Sequence, residues 1–337
     1  MTWYFVESLA AAPEPMTIIN KDGQPREWTS LRAFQRHESV DIDELLDRVR
    51  ADRDGETLER VVAMRGGGDR FVRVVPVMGP TGDVYGMHLW IGALDDIPTP
   101  PRPAAGLCFH LGTLQAQLTE ESWAMSNLPE DIAPHPGTLS PAEMFRRVVR
   151  YDAINDLVSM GIEPDPTAIH DARLTVLHND GHLMFWQAAA RGRKDEIHTG
   201  MRGLNIDISD VQAPTISPLE ALGLGEAAPT DGPAAALIAA TASIDRPVIA
   251  EWIGKPPAWI DWERETGDTE VFHRDDWDRI RADFESLTPD QESVIRCRIR
   301  AFTDTGWQDI EMRCRRYPGE VGANLHVARI SKAAATG

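Results

Sequence analysis

The sequence predicts an α+β protein of three similar modules, and three observations support this prediction. Hydrophobic residues make up 42% and charged residues 26% of the 337 residues, which is typical of a folded globular chain of two or three domains. Two proline-rich segments divide the chain into three pieces. Each piece repeats one order of patterns, in which two strands, a helical middle and three consecutive strands follow one another.

The proline-rich segments set the predicted boundaries. Residues 95–105 carry the run DDIPTPPRPAA, and residues 211–233 contain four prolines. Because proline fixes φ and lacks a backbone donor, both segments are expected to be extended connections. The predicted modules are residues 1–98, 106–210 and 234–332, and the predicted linkers are residues 99–105 and 211–233.

In the first piece, strands are predicted at 16–20 and 26–29, on either side of an Asp-Gly turn. A helix is predicted at 42–50, and the runs LERVVAM, RFVRVVPVMG and MHLWIGA follow as a meander. In the middle piece, a helix is predicted to begin after Ser140, because Pro141 and Glu143 complete a capping box. Its meander consists of ARLTVLH, HLMFWQAAARG and TGMRGLNIDI.

The third piece has the clearest strand pattern. Apolar and arginine side chains alternate over 293–302 and again over 309–316, and a third strand is predicted at 324–330. Folding the hairpin about its turn places Arg298 opposite Glu311 and Arg300 opposite Asp309. An amphipathic helix is predicted at 274–286, and short strands are predicted near 248–252 and 258–262.

Two segments resemble motifs of the PAS domain family. Residues 271–280 (VFHRDDWDRI) resemble the short helix motif of that family, and residues 200–209 (GMRGLNIDIS) resemble its closing strand. The resemblance implies three PAS-like modules, each a five-stranded antiparallel sheet with helices on one face. It also implies a small-molecule pocket between sheet and helices, or a sheet face that binds protein, and it rarely implies catalysis.

Charge and cysteine content narrow the function classes. A net charge of −19 disfavours binding to nucleic acid and to anionic membranes. Three cysteines without a CxxC pair favour a reducing compartment. The N-terminal residues lack a signal-peptide pattern, and we expect a cytoplasmic protein without a membrane span.

A small apolar ligand, if one binds, is expected inside the third module. Trp262 and Trp277 lie in its helical part, and four further side chains share the inward parity of its strands. The predicted pocket residues are Trp262, Trp277, Cys297, Ile299, Met312 and Cys314. The alternative is that the tryptophans fill the core and that the cysteines are inert small hydrophobes.

The opposite parity of the same strands carries a basic stripe. The candidate interface residues are Arg296, Arg298, Arg300, Arg313 and Arg315. Arginine is enriched at protein interfaces, so this face is predicted to bind a protein partner or a second copy of the chain. The alternative is a solvated face that Glu311 and Asp309 neutralise, and both interpretations stay open.

No metal site and no evident cofactor are predicted. The glycine run at 64–70 precedes a strand pattern, which indicates a hairpin turn and not a phosphate loop. His178 and His182 flank a predicted turn and are interpreted as hairpin residues. A haem ligand at His273, or a flavin, is possible but not favoured.

The favoured function is a non-catalytic sensory, regulatory or scaffold protein that acts through small-molecule sensing, protein interaction or both. A haem- or redox-responsive sensor is the first alternative, and a small α+β enzyme is the second. The sequence contains no GxSxG or HExxH motif, which weighs against the enzyme.

Overall fold

The structure is a computed structural model. It describes residues 2–126, 138–145, 147–178, 182–196, 198–214, 216, 234–240, 246–253, 256–262, 270–288, 291–317 and 324–333. In these residues, three antiparallel sheets follow one another along the chain. We call the sheets and their helices the first, middle and third domains.

The first domain contains a six-stranded sheet in the order β3-β2-β1-β6-β5-β4. Its elements are β1 (Thr2–Glu7), β2 (Thr17–Lys21), β3 (Gln24–Ser30), α1 (Leu31–Glu38), α2 (Asp43–Ala51), β4 (Leu58–Ala63), β5 (Asp69–Met78) and β6 (Val84–Gly92). Asp22 and Gly23 have φ values of 50° and 83°, which is the two-residue turn that an Asp-Gly pair favours in hairpins. The predicted Asp-Gly turn therefore joins β2 and β3.

The middle domain contains a seven-stranded sheet in the order β10-β11-β12-β13-β7-β8-β9. Its elements are β7 (Ala104–His110), β8 (Gln115–Leu118), α3 (Glu120–Ser126), β9 (Thr138–Leu139), α4 (Pro141–Met144), β10 (Val148–Arg150), α5 (Ile154–Ile162), β11 (Ile169–Leu177), β12 (Leu183–Lys194) and β13 (Thr199–Asp207). The predicted capping box is present, because Ser140 and Glu143 satisfy each other's backbone N–H groups at the start of α4.

The third domain contains a five-stranded sheet in the order β15-β14-β18-β17-β16. Its elements are β14 (Ala234–Ala239), β15 (Val248–Ile253), a 3-10 turn (Arg274–Asp276), α6 (Trp277–Ser286), β16 (Glu292–Arg300), β17 (Trp307–Arg316) and β18 (Leu325–Lys332). Residues 258–262 form a turn with a single bridge from Ile260 to Ala301, so the strand predicted there is wrong.

The three sheets share one order of strands. In each sheet the first strand lies between the second strand and the last strand, and the last three strands form a meander that continues outwards. The strand pairs β1 with β6, β7 with β13, and β14 with β18 are the equivalent central pairs. This shared order fits a tandem arrangement of related domains.

The predicted α+β class, with helices on one face of each five-stranded sheet, is wrong. The described chain is mostly strand, and the sheets have six, seven and five strands. The prediction lacked β1 of the first sheet and β9 and β10 of the middle sheet. Strand β1 is buried along nearly its whole length and the other two are only two and three residues long, so none shows the clean period of two on which the sequence prediction rested.

A second reason for the correction is that the first and middle sheets pack against each other, so helices are not the only elements that cover a sheet face. Phe5 and Tyr85 of the first sheet pack against Phe185 and Leu204 of the middle sheet in one apolar cluster. Helices α1 and α2 cover the other face of the first sheet, where Phe34 and Leu46 are buried. The first sheet is therefore buried on both faces.

The third domain packs on the helical side of the middle domain. Leu237, Val248 and Leu325 of the third sheet join Leu157 and Met160 of α5 in one cluster. On the other face of the third sheet, α6 buries its own apolar side chains in a separate cluster. The helices of the middle domain therefore lie between two sheets.

Candidate functional site

A cavity of about 220 Å³ lies between the middle sheet and its helices. On the sheet side it is lined by Leu174, Val176 and Trp186, and on the helical side by Phe145 and Leu157. These five side chains are at most 8% exposed. A mainly apolar space of this kind suits a small hydrophobic molecule.

Small side chains on the sheet leave this space open. Ala188 and Ala190 lie on the cavity side of β12, and Gly203 lies beside them on β13. A methyl group built on Gly203 would lie 3.2 Å from Leu107, so the glycine allows close packing at this point. The sequence run QAAARG thus produces a strand with a recess on one face.

Some polar groups at the cavity form hydrogen bonds within the protein, and one does not. The Ser122 hydroxyl donates to the Gly106 carbonyl at 3.3 Å, and the Ser126 hydroxyl donates to the Ser122 carbonyl at 3.2 Å. The indole Nε1 of Trp186 is buried and has no hydrogen-bond partner among the described residues. A buried N–H without an acceptor is costly, so a ligand carrying an acceptor would compensate it.

A neutral hydrogen-bonded pair closes one side of the cavity. Tyr151, which lines the cavity, lies 2.5 Å from His170 Nε2 through its hydroxyl. Burial raises the pKa of Tyr151 and lowers the pKa of His170, so both side chains are uncharged at neutral pH. The pair links the segment before α5 to strand β11 without introducing charge.

The structure brings the predicted pocket residues together in the core of the third domain. Cys297, Ile299, Met312 and Cys314 are at most 4% exposed and belong to one cluster with Trp262, while Trp277 packs beside it. Neither they nor the two tryptophans line the cavity of the middle domain. Burial raises the pKa of both cysteine thiols, which makes them unreactive.

The predicted basic stripe is a mixture of exposed and engaged arginines. Arg296 and Arg313 are more than half exposed and both lie 3.7 Å from Glu311. The guanidinium of Arg300 instead donates to the Glu270 carbonyl at 2.9 Å. Arg315 is exposed at the end of the stripe.

Arg298 has a structural role. Its Nε lies 3.0 Å and its backbone N 2.9 Å from Oδ2 of Asp276, whose side chain is 9% exposed. Burial acts to raise the pKa of Asp276, but the hydrogen bonds and charge of Arg298 lower it overall. Arg298 thereby fastens the start of α6 to the edge strand β16.

The predicted register of this hairpin is wrong by two residues. Arg296 lies opposite Glu311 and Arg298 lies opposite Asp309. The turn is longer than assumed, because Ala301 and Gly306 close it by an N–H to carbonyl bond. Opposite charges still face each other across the strands.

The other residues considered from sequence have local roles. The His273 side chain accepts from the Asp275 backbone N–H and caps the 3-10 turn. The rings of His178 and His182 stack at 4.1 Å, and the predicted turn between them lies outside the described residues. The glycine run ends in a hairpin between β4 and β5, where Met64 N–H donates to the Gly68 carbonyl.

Sequence reasoning missed a cluster of metal-ligand residue types. One ligand atom from each of Cys108, His110 and His198 lies within 4.8 Å of the others. The available signal was the spacing of Cys108 and His110, which places both on one face of a strand. The cavity also had a signal, namely the alanine run beside a closing strand rich in glycine.

Residues 2–101 match the family model described as Rv3651-like, N-terminal. A solved structure of an uncharacterised protein from Mycobacterium tuberculosis is 16% identical, with 99% of this chain and 96% of that chain covered and a TM-score of 0.74. At this identity the likeness concerns the fold alone. A comparison with curated proteins found no match.

Two further solved structures are far less similar. An RNA-binding light-oxygen-voltage receptor is 11% identical, with 68% of this chain and 95% of that chain covered and a TM-score of 0.27. The periplasmic sensory domain of the Campylobacter jejuni chemoreceptor Tlp1 is 13% identical, with 65% and 74% covered and a TM-score of 0.16. TM-scores this low carry no argument about this chain. Within the described residues, no helix has the length and apolarity needed to cross a membrane.

Proposed function

We propose that the protein is a non-catalytic sensory or regulatory protein of three PAS-like modules, and that its middle domain binds a small, mostly apolar molecule. The observation that carries the proposal is the apolar cavity of about 220 Å³ between the middle sheet and its helices. For comparison, an engineered apolar cavity of roughly 150 Å³ is enough to bind benzene. The space therefore suits a molecule with one ring or a short branched chain.

The cavity also indicates one polar feature of the ligand. Trp186 is 6% exposed, and its indole N–H has no acceptor among the described residues. The other walls are mainly aliphatic and aromatic. A ring or chain with a single carbonyl or ether oxygen satisfies both conditions.

The PAS-like assignment rests on the motif resemblance at 200–209 and 271–280, and the repeated order of strands supports it. The resemblance implies a ligand pocket between sheet and helices, which is where the middle cavity lies. Movement of the helices on ligand binding would reach the third sheet directly, because Leu157 of α5 packs in the same cluster as Leu237 and Val248.

Acetophenone and ethylbenzene form a matched pair of probes, since they are similar in size and acetophenone alone carries an acceptor. We expect both to stabilise the full chain in thermal unfolding. We expect acetophenone to bind about two to ten times more tightly, which corresponds to one hydrogen bond. In Trp186→Phe the preference for acetophenone should disappear.

Ala188→Phe tests the location, because the larger side chain fills the recess. Binding of both probes should be lost in this variant and retained in Ala51→Phe, where the same change lies at an exposed position. Unchanged binding in Ala188→Phe would refute the proposal. Native mass spectrometry of the purified chain then identifies the mass of any retained natural ligand.

A second candidate function is association with a protein partner or a second copy of the chain. Arg296 and Arg313 both lie 3.7 Å from Glu311, and the exposed Arg315 lies opposite Glu292, so three arginines meet two acids on this part of the third sheet. Reversal of Arg296 and Arg315 to glutamate should weaken association in sedimentation and leave the fold intact. Equal sedimentation of this variant and an associating wild type would contradict the candidate.

A further inference from the structure

A cysteine and two histidines converge on the face of the middle sheet opposite the cavity. Cys108 and His110 alternate along β7, and the neighbouring strand β13 starts directly after His198. Sγ of the cysteine and one nitrogen of each imidazole lie within 4.8 Å of one another. The rings of His110 and His198 approach to 4.1 Å between centroids.

Hydrogen bonding fixes which nitrogen of His198 is available. Its Nε2 lies 3.2 Å from the Met201 carbonyl, which can only accept, so Nε2 carries the proton. Nδ1 therefore holds a lone pair, and it is buried without a hydrogen-bond partner among the described residues, in a side chain that is 2% exposed. A carbonyl that orients the second nitrogen is the usual arrangement around a metal-bound histidine.

The loop that carries His198 is held in place. The backbone N–H of His198 donates to Oδ1 of Asp195 at 2.8 Å, and the Asp195 N–H donates to the His198 carbonyl at 2.9 Å. Cys108 is fully buried, and its Sγ lies 3.7 Å from Oε1 of Gln117. The three candidate ligands are thus positioned by strands and by a closed turn.

The two histidines and the cysteine differ in protonation state at neutral pH. Burial lowers the pKa of His198 to about 4 and also lowers the pKa of His110, so both imidazoles are neutral ligands. Burial raises the pKa of the Cys108 thiol to about 11, so a metal would have to displace its proton.

Two arginines, Arg202 and Arg193, lie close enough to act on His198, and each contacts a carboxylate. Arg202 is opposite Cys108 in the sheet, and its guanidinium lies 2.8 Å from Oδ2 of Asp83 in the first domain. It also lies 4.8 Å from the ring centroid of Tyr85. The Asp83 carboxylate also pairs with Arg53, so it balances the charge of Arg202 only in part, and the thiolate of Cys108 would supply the remaining negative charge next to a bound ion.

We infer that Cys108, His110 and His198 form a three-ligand site for a divalent metal ion of the zinc class, at the boundary between the first and middle domains. One thiolate and two imidazoles are a ligand set that zinc accepts in tetrahedral geometry. Three protein ligands leave a fourth position for water or another ligand. This site lies on the opposite sheet face from the proposed ligand cavity and does not depend on it.

Cobalt(II) is the probe, because thiolate coordination gives it a charge-transfer band in the near ultraviolet and tetrahedral coordination gives visible bands. The tag-free full chain is stripped with a chelator and titrated with cobalt. We expect one ion per chain, both sets of bands, and loss of the bands when zinc is added.

Cys108→Ala should lose the charge-transfer band, and His198→Gln should weaken cobalt binding by more than about tenfold. Cys314→Ala is the matched control, because this buried thiol lies in the third domain and should not affect the spectrum. Circular dichroism shows whether each variant is folded. Absence of the bands in the wild type, or their persistence in folded Cys108→Ala, would overturn the inference.

Discussion

The middle and third domains place their strands in the same order but fill the space under their helices differently. In the middle domain, Ala188 and Ala190 of β12 face a cavity of about 220 Å³. In the third domain, Ile310 and Met312 of the equivalent strand β17 are fully buried in a packed core. Side-chain volume on one strand, and not the order of strands, thus accounts for the open space beside β12.

The two domains also tether their helical segments by different chemistry. Arg298 and Asp276 form a partly buried ion pair in the third domain. Tyr151 and His170 form a neutral hydrogen bond in the middle domain. The neutral tether adds no charge to a cavity wall that already contains Glu143 and Arg147, whereas the ionic tether lies at a solvated edge.

The strongest test of the comparison enlarges one alanine in each domain. Ala328 is fully buried in the third core, so Ala328→Leu should overpack it and cost about 1–3 kcal/mol. Ala188→Leu should leave the free energy of unfolding nearly unchanged or raise it. The larger side chain fills existing space, and each buried methylene contributes about 0.8 kcal/mol. Hydrogen exchange on β17 and β12 peptides measures both effects locally. Equal costs at the two positions would show that the middle cavity is not open space.

A smaller effect is expected at the ionic tether. Arg298→Gln leaves the Asp276 carboxylate, which is 9% exposed, with Arg279 as its remaining charged partner, and the loss of the contact to β16 should increase hydrogen exchange across α6. Arg296→Gln is the control, because Arg296 is 74% exposed and its ion pair with Glu311, at 3.7 Å, is solvated. Similar hydrogen exchange in both variants would show that Arg298 stabilises α6 no more than an exposed arginine does.

The smallest expected effect concerns acid stability. His326 is 1% exposed and stacks on Phe284 at 4.0 Å, and burial lowers its pKa from 6.5 to about 4. Between these values the unfolded chain binds the proton more readily, so stability is lost as the pH falls from 6.5 towards 4. His326→Phe should reduce this loss in the third domain.

Unfolding midpoints at pH 7 and pH 5 measure the effect of His326→Phe. His37→Phe changes an imidazole that is 79% exposed and should leave the pH dependence as in the wild type. In the middle domain, His170 has Tyr151 as a partner, so His170→Phe should lower stability at both pH values. If the unfolding midpoint of His326→Phe depends on pH as in the wild type, His326 does not contribute to the loss of stability in acid.

Local features were predictable where they depend on neighbouring residues. The alternation around Cys297 and Met312 predicted β16 and β17, and the Ser140 capping box predicted the start of α4. Strands β1 and β14 escaped prediction. The first is buried on both faces and the second is alanine-rich, so neither shows a period of two.

The sequence by itself determined the repeated order of elements, because period-two strands, turn residues and caps act within a few residues. Only the tertiary structure decided which surface covers each sheet face, which corrected the fold class. It also decided where space remains and which distant side chains meet. Ala188 reveals a cavity only once α5 is packed above it, and His198 joins Cys108 and His110 only because β13 pairs with β7. A strand pattern specifies two faces, whereas their partners come from contacts between residues far apart in the chain.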